Sequence, residues 1–206
     1  MAKISLELIQ QLREITGLGM MDCKKALIET DGDIERAVVL LRKKGLAVAQ
    51  KRAEKSTSQG LISAYIHPGS TLGVLLEIDC ETDFVASTED VKTFAKNICM
   101  QIAAMKPLAI NPENLDLEYL NKEKDIIKAQ LKESGKPEAM IEKIAEGKLT
   151  KIYSEVCLVK QPYLKDDKRS VEDILNDLIA KLGEKIVIKR FARFQVGVHG
   201  EDFFTI

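Results

Sequence analysis

The sequence predicts an α+β fold: a three-helix module, then a core of antiparallel sheet with helices, from which an antiparallel helical hairpin projects. Three observations carry this reading. Apolar residues recur at helical spacing up to Leu41. From Leu61 the period drops to that of strands, with two β-rich runs around His67-Pro68-Gly69-Ser70. Between residues 116 and 153, two heavily charged helical stretches flank Ser134-Gly135-Lys136-Pro137, a helix stop followed by a helix start.

The elements follow in order. Ser5 is placed to cap a first helix whose face is Leu8, Ile9, Leu12 and Ile15, and Thr16-Gly17-Leu18-Gly19 breaks it. A second helix covers about Met21 to Glu29. Asp31-Gly32 makes a turn, and Asp33 caps a third helix carrying Ile34, Ala37, Val38 and Leu41. Gly45 reads as its C-terminal stop, with residues 46–55 available as a linker helix. Leu61–Ile66 and Leu72–Cys80 form a β-hairpin. Thr88 caps a helix with Val91, Phe94, Ala95, Ile98 and Ile102 on its buried stripe, ended by Pro107. Leu117, Leu120, Ile127 and Leu131 face Ile141, Ile144, Ala145, Leu149 and Ile152 across the helical hairpin. Glu155–Lys160 reads as a strand. Ser170 caps a last helix that Gly183 ends, and Lys185–Val196 closes the chain as a strand. The domain organisation expected is residues 1–55 as the N-terminal module with its linker helix, and residues 56–206 as the core, with the hairpin at about 116–153.

Composition narrows the function classes. The 206 residues have room for one medium domain or two small ones. A net charge of -1 lacks the basic excess of a general nucleic-acid coat, so no direct nucleic-acid partner is expected. The charge is uneven: residues 1–55 carry +3, residues 56–115 carry -4, and the rest is neutral. No run reaches the ~20 apolar residues of a membrane span, and the first residues hold no apolar signal core, so a cytoplasmic protein is expected. Cys23, Cys80, Cys99 and Cys157 are widely spaced without a Cys-x-x-Cys pair, which points to reduced core thiols. Only His67 and His199 could help a zinc site, and no metal or other cofactor is expected.

Four constellations invite chemistry. Gly17-Leu18-Gly19 opens a helix as a phosphate loop would, but it follows a helix and lacks the third glycine. It reads as a tight interhelical turn. Glu77, Asp79, Glu81 and Asp83 share one strand face at spacing two. They lack the glycine turn of a calcium loop and read as a solvated face. Lys189 to Phe194 mixes basic and aromatic side chains as a single-strand nucleic-acid binder can. With Phe194 and Val196 on the face of Ile186 and Ile188, it reads as a core strand. The fourth is Thr82-Asp83-Phe84-Val85, between a strand and a helix. Phe84 either folds back onto the core or is an aromatic anchor for a partner. The same choice arises at Met20-Met21, since adjacent helical residues do not both face inward. Residue chemistry by itself leaves both choices open. With two histidines and no paired nucleophile, covalent catalysis is not expected.

Residues Leu12 to Leu27 (LREITGLGMMDCKKAL) resemble the first signature block of the translation elongation factor Ts family, and Glu77 to Ala86 (EIDCETDFVA) resemble the second. The three-helix start, the hairpin with Ser-Gly-Lys-Pro at its tip and the closing Arg193–Gly197 stretch match in order, so the likeness covers nearly the whole chain. Asp79 stands where the family usually has Asn, and Ser87 where it often has a basic residue. The resemblance implies a UBA-like N-terminal module and a guanine nucleotide exchange factor for elongation factor Tu, acting by binding rather than as an enzyme. It implies that Asp83 and Phe84, within Thr82–Val85, intrude near the partner's magnesium site and promote GDP release. It also implies that Met20 and Met21 grip the partner's nucleotide domain. The chain has room for a single core, and short members of the family can pair through that core as homodimers.

Overall fold

The computed structural model describes residues 4–134 and 137–198. The expected Gly135 and Lys136 at the hairpin tip, and His199, lie outside the described residues. Helix α1 (Leu6–Thr16) starts where the Ser5 side chain accepts from the Leu8 amide at 3.2 Å, and stops at Gly17 in the left-handed conformation, φ 68°. Helix α2 (Met20–Glu29) follows. Asp31 and Gly32 turn the chain at φ 53° and 86°, and the Asp33 carboxylate accepts from Arg36 N at 2.9 Å to cap α3 (Ile34–Arg52). Ile9, Leu12, Cys23, Ala26, Leu27, Ala37 and Leu41 form the buried centre of this bundle. Ile15, expected on the buried face of α1, is exposed.

Gly45 does not end α3. The helix runs through it to Arg52 in one piece. Gly45 is buried instead, and an added Cβ would lie 3.0 Å from Ala180 Cβ. A close approach of two helices, not a cap, accounts for this glycine.

Strands β1 (Gln59–Ile66) and β2 (Leu72–Cys80) form the expected hairpin, with His67 N donating to Leu72 O at 2.8 Å. Gly69 and Ser70 take positive φ in the turn. After a four-residue helix α4 (Asp83–Ala86) comes α5 (Glu89–Met105), then α6 (Leu117–Glu133) and α7 (Glu138–Val156). A short hairpin of β3 (Pro162–Tyr163) and β4 (Asp166–Ser170), which the sequence reading lacks, precedes α8 (Val171–Leu182). The final strand is β5 (Ile186–Gln195). The main sheet has order β1-β2-β5, so β2 is central. Val196 N donates to Thr71 O, and Lys185 N donates to the Glu81 carboxylate, so β5 runs antiparallel to β2.

Two sequence expectations are corrected here. Glu155–Lys160 is not a strand: α7 continues to Val156, and a 3-10 turn spans Leu158–Lys160. Only a single bridge, Ala109 with Cys157, has strand character. The helix stripe runs on because Tyr153 and Val156 pack beside Ala109, Leu115 and Cys157. In β5, Ile186 and Ile188 are buried, but the next buried residue is Phe191, three positions on. The alternation slips by one, so Phe194 and Val196 point out, 48% and 72% exposed, rather than into the core.

Packing divides the chain into two compact units. The first holds the chain up to Leu61, Ile78–Lys92 and Asp173–Val187; the second holds Ile62–Glu77, Thr93–Glu172 and the chain from Ile188. In the second, Ile127, Leu131, Ile141, Ala145 and Leu149 zip α6 to α7, and a Lys128–Glu142 ion pair at 2.8 Å crosses between them. That pairing raises the Lys128 pKa and lowers that of Glu142. Leu117, expected in the seam, is exposed. Gln101 and Gln161 are fully buried polar residues with complete partners. Gln101 donates to Gln161 Oε1 (3.1 Å) and accepts from Leu164 N (2.7 Å), while Gln161 donates to Glu155 O (2.8 Å). Among the described residues no helix is long and apolar enough to cross a membrane.

Candidate partner-binding surface

The second motif sits where β2 ends. Val74, Leu76, Ile78 and Cys80 alternate into the core, and the strand stops at Cys80. The four acids therefore do not form one strand face. Glu77 pairs with Arg190, Glu81 lies beyond the strand, and Asp83 opens α4. Thr82 is extended (φ -126°, ψ 155°), and its Oγ1 accepts from Val85 N at 3.3 Å, which caps α4. The turn closes with Ala86 N donating to Thr82 O at 3.2 Å and Ser87 N donating to Asp83 O at 3.0 Å.

Within this turn the apolar residues part company. Val85 and Ala86 are 5% exposed, while Phe84 is 77% exposed. Successive residues of a helical turn point about 100° apart, so burying Val85 and Ala86 turns Phe84 out. A phenylalanine left in water forgoes about 1.5–3 kcal/mol of burial, a gain open to a partner with a matching pocket. Thr82 and Asp83 are exposed beside it. Of the expected site residues, Thr82, Asp83 and Phe84 reach the surface, and Val85 lies beneath as the anchor of the turn.

Met20 and Met21 begin α2 behind Gly19, whose backbone is extended at φ -63°, ψ 147°. Met20 is half-buried against the three-helix core, and Met21 is 63% exposed. Both belong to the same compact unit as Thr82–Val85.

Sequence reasoning missed the groups that hold the Thr82–Val85 turn. Glu184 accepts from Thr82 N at 3.2 Å and from Thr82 Oγ1, which lies 2.9 Å from its Oε1. Glu81 accepts from Arg52 Nη1 at 3.0 Å and from Lys185 N at 2.6 Å. The Lys185 ammonium donates to Ala53 O (2.6 Å) and Lys55 O (2.9 Å), just past the end of α3. No local signal marks Glu184 or Lys185, because their partners lie about a hundred positions earlier in the chain.

The neighbouring Cys80 thiol is pushed up to about 11, first by burial and then by the Glu184 and Asp79 carboxylates. It stays protonated near neutral pH and is a poor nucleophile. All four cysteines are free and buried. Among the described residues no group of three or more His, Cys, Asp or Glu side chains could hold a metal ion. The basic and aromatic stretch at Lys189–Phe194 offers solvent one half-exposed ring, Phe194, because Phe191 is 2% exposed.

A family model described as elongation factor TS matches residues 22–198. The chain is 55% identical over 194 residues to elongation factor Ts of Caldanaerobacter subterraneus subsp. tengcongensis, covering 94% of this chain and 97% of that one. It is 55% identical over 189 residues to the Moorella thermoacetica protein of the same name, covering 92% and 93%. It is 52% identical over 200 residues to that of Thermotoga petrophila, covering 97% and 100%.

Proposed function

The chain belongs to the elongation factor Ts family, and on that premise we propose that it is a guanine nucleotide exchange factor for elongation factor Tu in translation elongation. No bond is made or broken in this chain. A protein that binds the nucleotide-free partner best weakens that partner's hold on GDP by the same factor, because coupling between two ligands is reciprocal. The observation that carries the reading is Phe84, 77% exposed on a capped turn whose next two residues are buried.

In this proposal Phe84 enters between helices of the partner next to its nucleotide site, and Asp83 engages or repels groups beside the partner's magnesium ion. Loss of that ion removes the largest positive charge on the phosphates, so GDP leaves faster. Thr82 and Val85 hold the turn, and Met21, with Met20 beneath it, grips the nucleotide domain through the N-terminal module, residues 1–55. The core, residues 56–206, and its hairpin hold the partner's other domains, and the pair works in the cytoplasm. Two copies of the chain pair through the outer face of the sheet in the core. Supporting this, Ile62, Ile66, Leu75, Phe194 and Val196 are all exposed there, and monomers seldom leave so many large apolar residues bare on one face.

The test is release of labelled GDP from elongation factor Tu with the chain at catalytic amounts. The intact chain accelerates release, and Phe84→Ala lowers the acceleration at least tenfold, an order-of-magnitude figure for a buried aromatic contact, while the melting temperature stays put. No acceleration by the intact chain would sink the reading.

A further inference from the structure

We propose that Glu184 is a positioning residue for exchange: its carboxylate clamps Thr82 and so holds Phe84 outward. This rests on the reading of Phe84 given above. A four-residue helix has no stability of its own, since a single turn costs more entropy than its bonds return. An exposed phenylalanine also gains by folding back onto the nearest apolar surface. Something must therefore hold α4 in the conformation that turns Phe84 out. Burial of Val85 and Ala86 supplies one restraint.

Thr82 supplies the other, and its hydroxyl is used twice. It accepts from Val85 N at 3.3 Å and donates to Glu184, with Oε1 at 2.9 Å and Oε2 at 3.0 Å. The Thr82 amide also donates to Glu184 Oε2, at 3.2 Å. A carboxylate that takes both donors of one residue fixes its rotamer. By drawing on the hydroxyl proton it also makes the oxygen a better acceptor for the helix. Glu184 is itself held. It follows Gly183, which turns at φ 71°, and precedes Lys185, whose amide binds Glu81 at 2.6 Å. The Lys185 ammonium reaches Ala53 O and Lys55 O, so the turn that presents Glu184 is tied to the end of α3.

The experiment measures the rate of GDP release from elongation factor Tu against concentration of full-length variants, together with their melting temperatures. Glu184→Ala and Thr82→Val each lower the saturating rate about tenfold, the order expected for losing a charge-assisted bond. The concentration at half-saturation changes little, because the other contacts of the complex remain. Thr82→Ser keeps the hydroxyl and keeps the rate. In the Thr82→Val background, Glu184→Ala adds much less than tenfold, since only the Thr82 amide is left for the carboxylate to hold.

Phe84→Ala is run alongside. If it slows release while Glu184→Ala does not, the clamp is overturned and the wedge stands. If Phe84→Ala leaves the rate unchanged, the wedge falls and the clamp falls with it. A Glu184→Ala loss that only follows a lowered melting temperature, or that Thr82→Ser shares, also overturns the clamp.

Discussion

Phe84 and Val85 are neighbours with opposite duties. Both are apolar, yet one is 77% and the other 5% exposed. Their truncations therefore separate binding from folding. Val85→Ala should lower stability by about 1–3 kcal/mol, read by urea denaturation, because it opens a hole in the core. Phe84→Ala should shift it by less than about 0.5 kcal/mol. Equal losses at both positions would contradict the geometry of the turn. Cys80 makes a pH prediction at the same scale. Its folded pKa, raised from 9.0 to about 11, means that the folded state holds the thiol proton more tightly than the unfolded chain does. The resulting stability is present below pH 9 and is lost as the pH rises through that window. Urea midpoints at pH 8 and pH 10.5 should differ less in Cys80→Ala than in the parent chain. The Thr82–Val85 motif was legible in the sequence as a segment between a strand and a helix. Which of its residues would face water was not, since that depends on Thr82 and its distant partner Glu184.

Three helix ends set by a local cap were legible. Ser5, Asp33 and Gly17 set them through their own side-chain or backbone chemistry, within four residues. Asp33→Ala should cost about 1 kcal/mol by chemical denaturation, as expected for losing an N-cap. Gly45 looked like the same kind of signal and is not. Local chemistry does not tell a glycine that ends a helix from one that lets another helix come close, and here Ala180 decides. Gly45→Leu should therefore destabilise by about 1–3 kcal/mol through overpacking, although leucine is the better helix former. If the variant is as stable as the parent, the close approach is not what this glycine serves. The strand expected at Glu155–Lys160 failed for a related reason. A short apolar run fits either period, and packing of Tyr153 and Val156 in the α7 stripe carries the helix to Val156, with a 3-10 turn over Leu158–Lys160 after it.

At the scale of the whole molecule the sheet has an inner and an outer face, and the outer one carries an apolar patch beside the Glu77–Arg190 ion pair. The slip in β5 after Ile188 puts Phe194 there, alongside Ile62, Ile66 and Leu75. Simple alternation from Ile186 had assigned Phe194 to the core. The proposed pairing of two copies predicts that the chain sediments as a dimer at micromolar concentration. Leu75→Asp combined with Phe194→Asp should give a folded monomer, because both side chains are already part-exposed and their loss leaves no cavity. A parent chain that sediments as a monomer at every concentration would remove the pairing from the functional reading.

By itself the sequence determined the α+β class, the order of its longer helices and of the three strands of the main sheet, and the position of the Thr82–Val85 motif after a strand and before a long helix. These rest on periodicity, caps and turns, which are short-range and written in neighbouring residues. The tertiary structure alone decided which side of each element faces water and what holds the motif in place. Met21 out and Met20 half-buried, Phe84 out and Val85 in, Phe194 out, and Glu184 against Thr82 are all outcomes of contacts between residues far apart in the chain. Burial and long-range charge pairing depend on where the backbone has already brought those residues, so no local pattern records them.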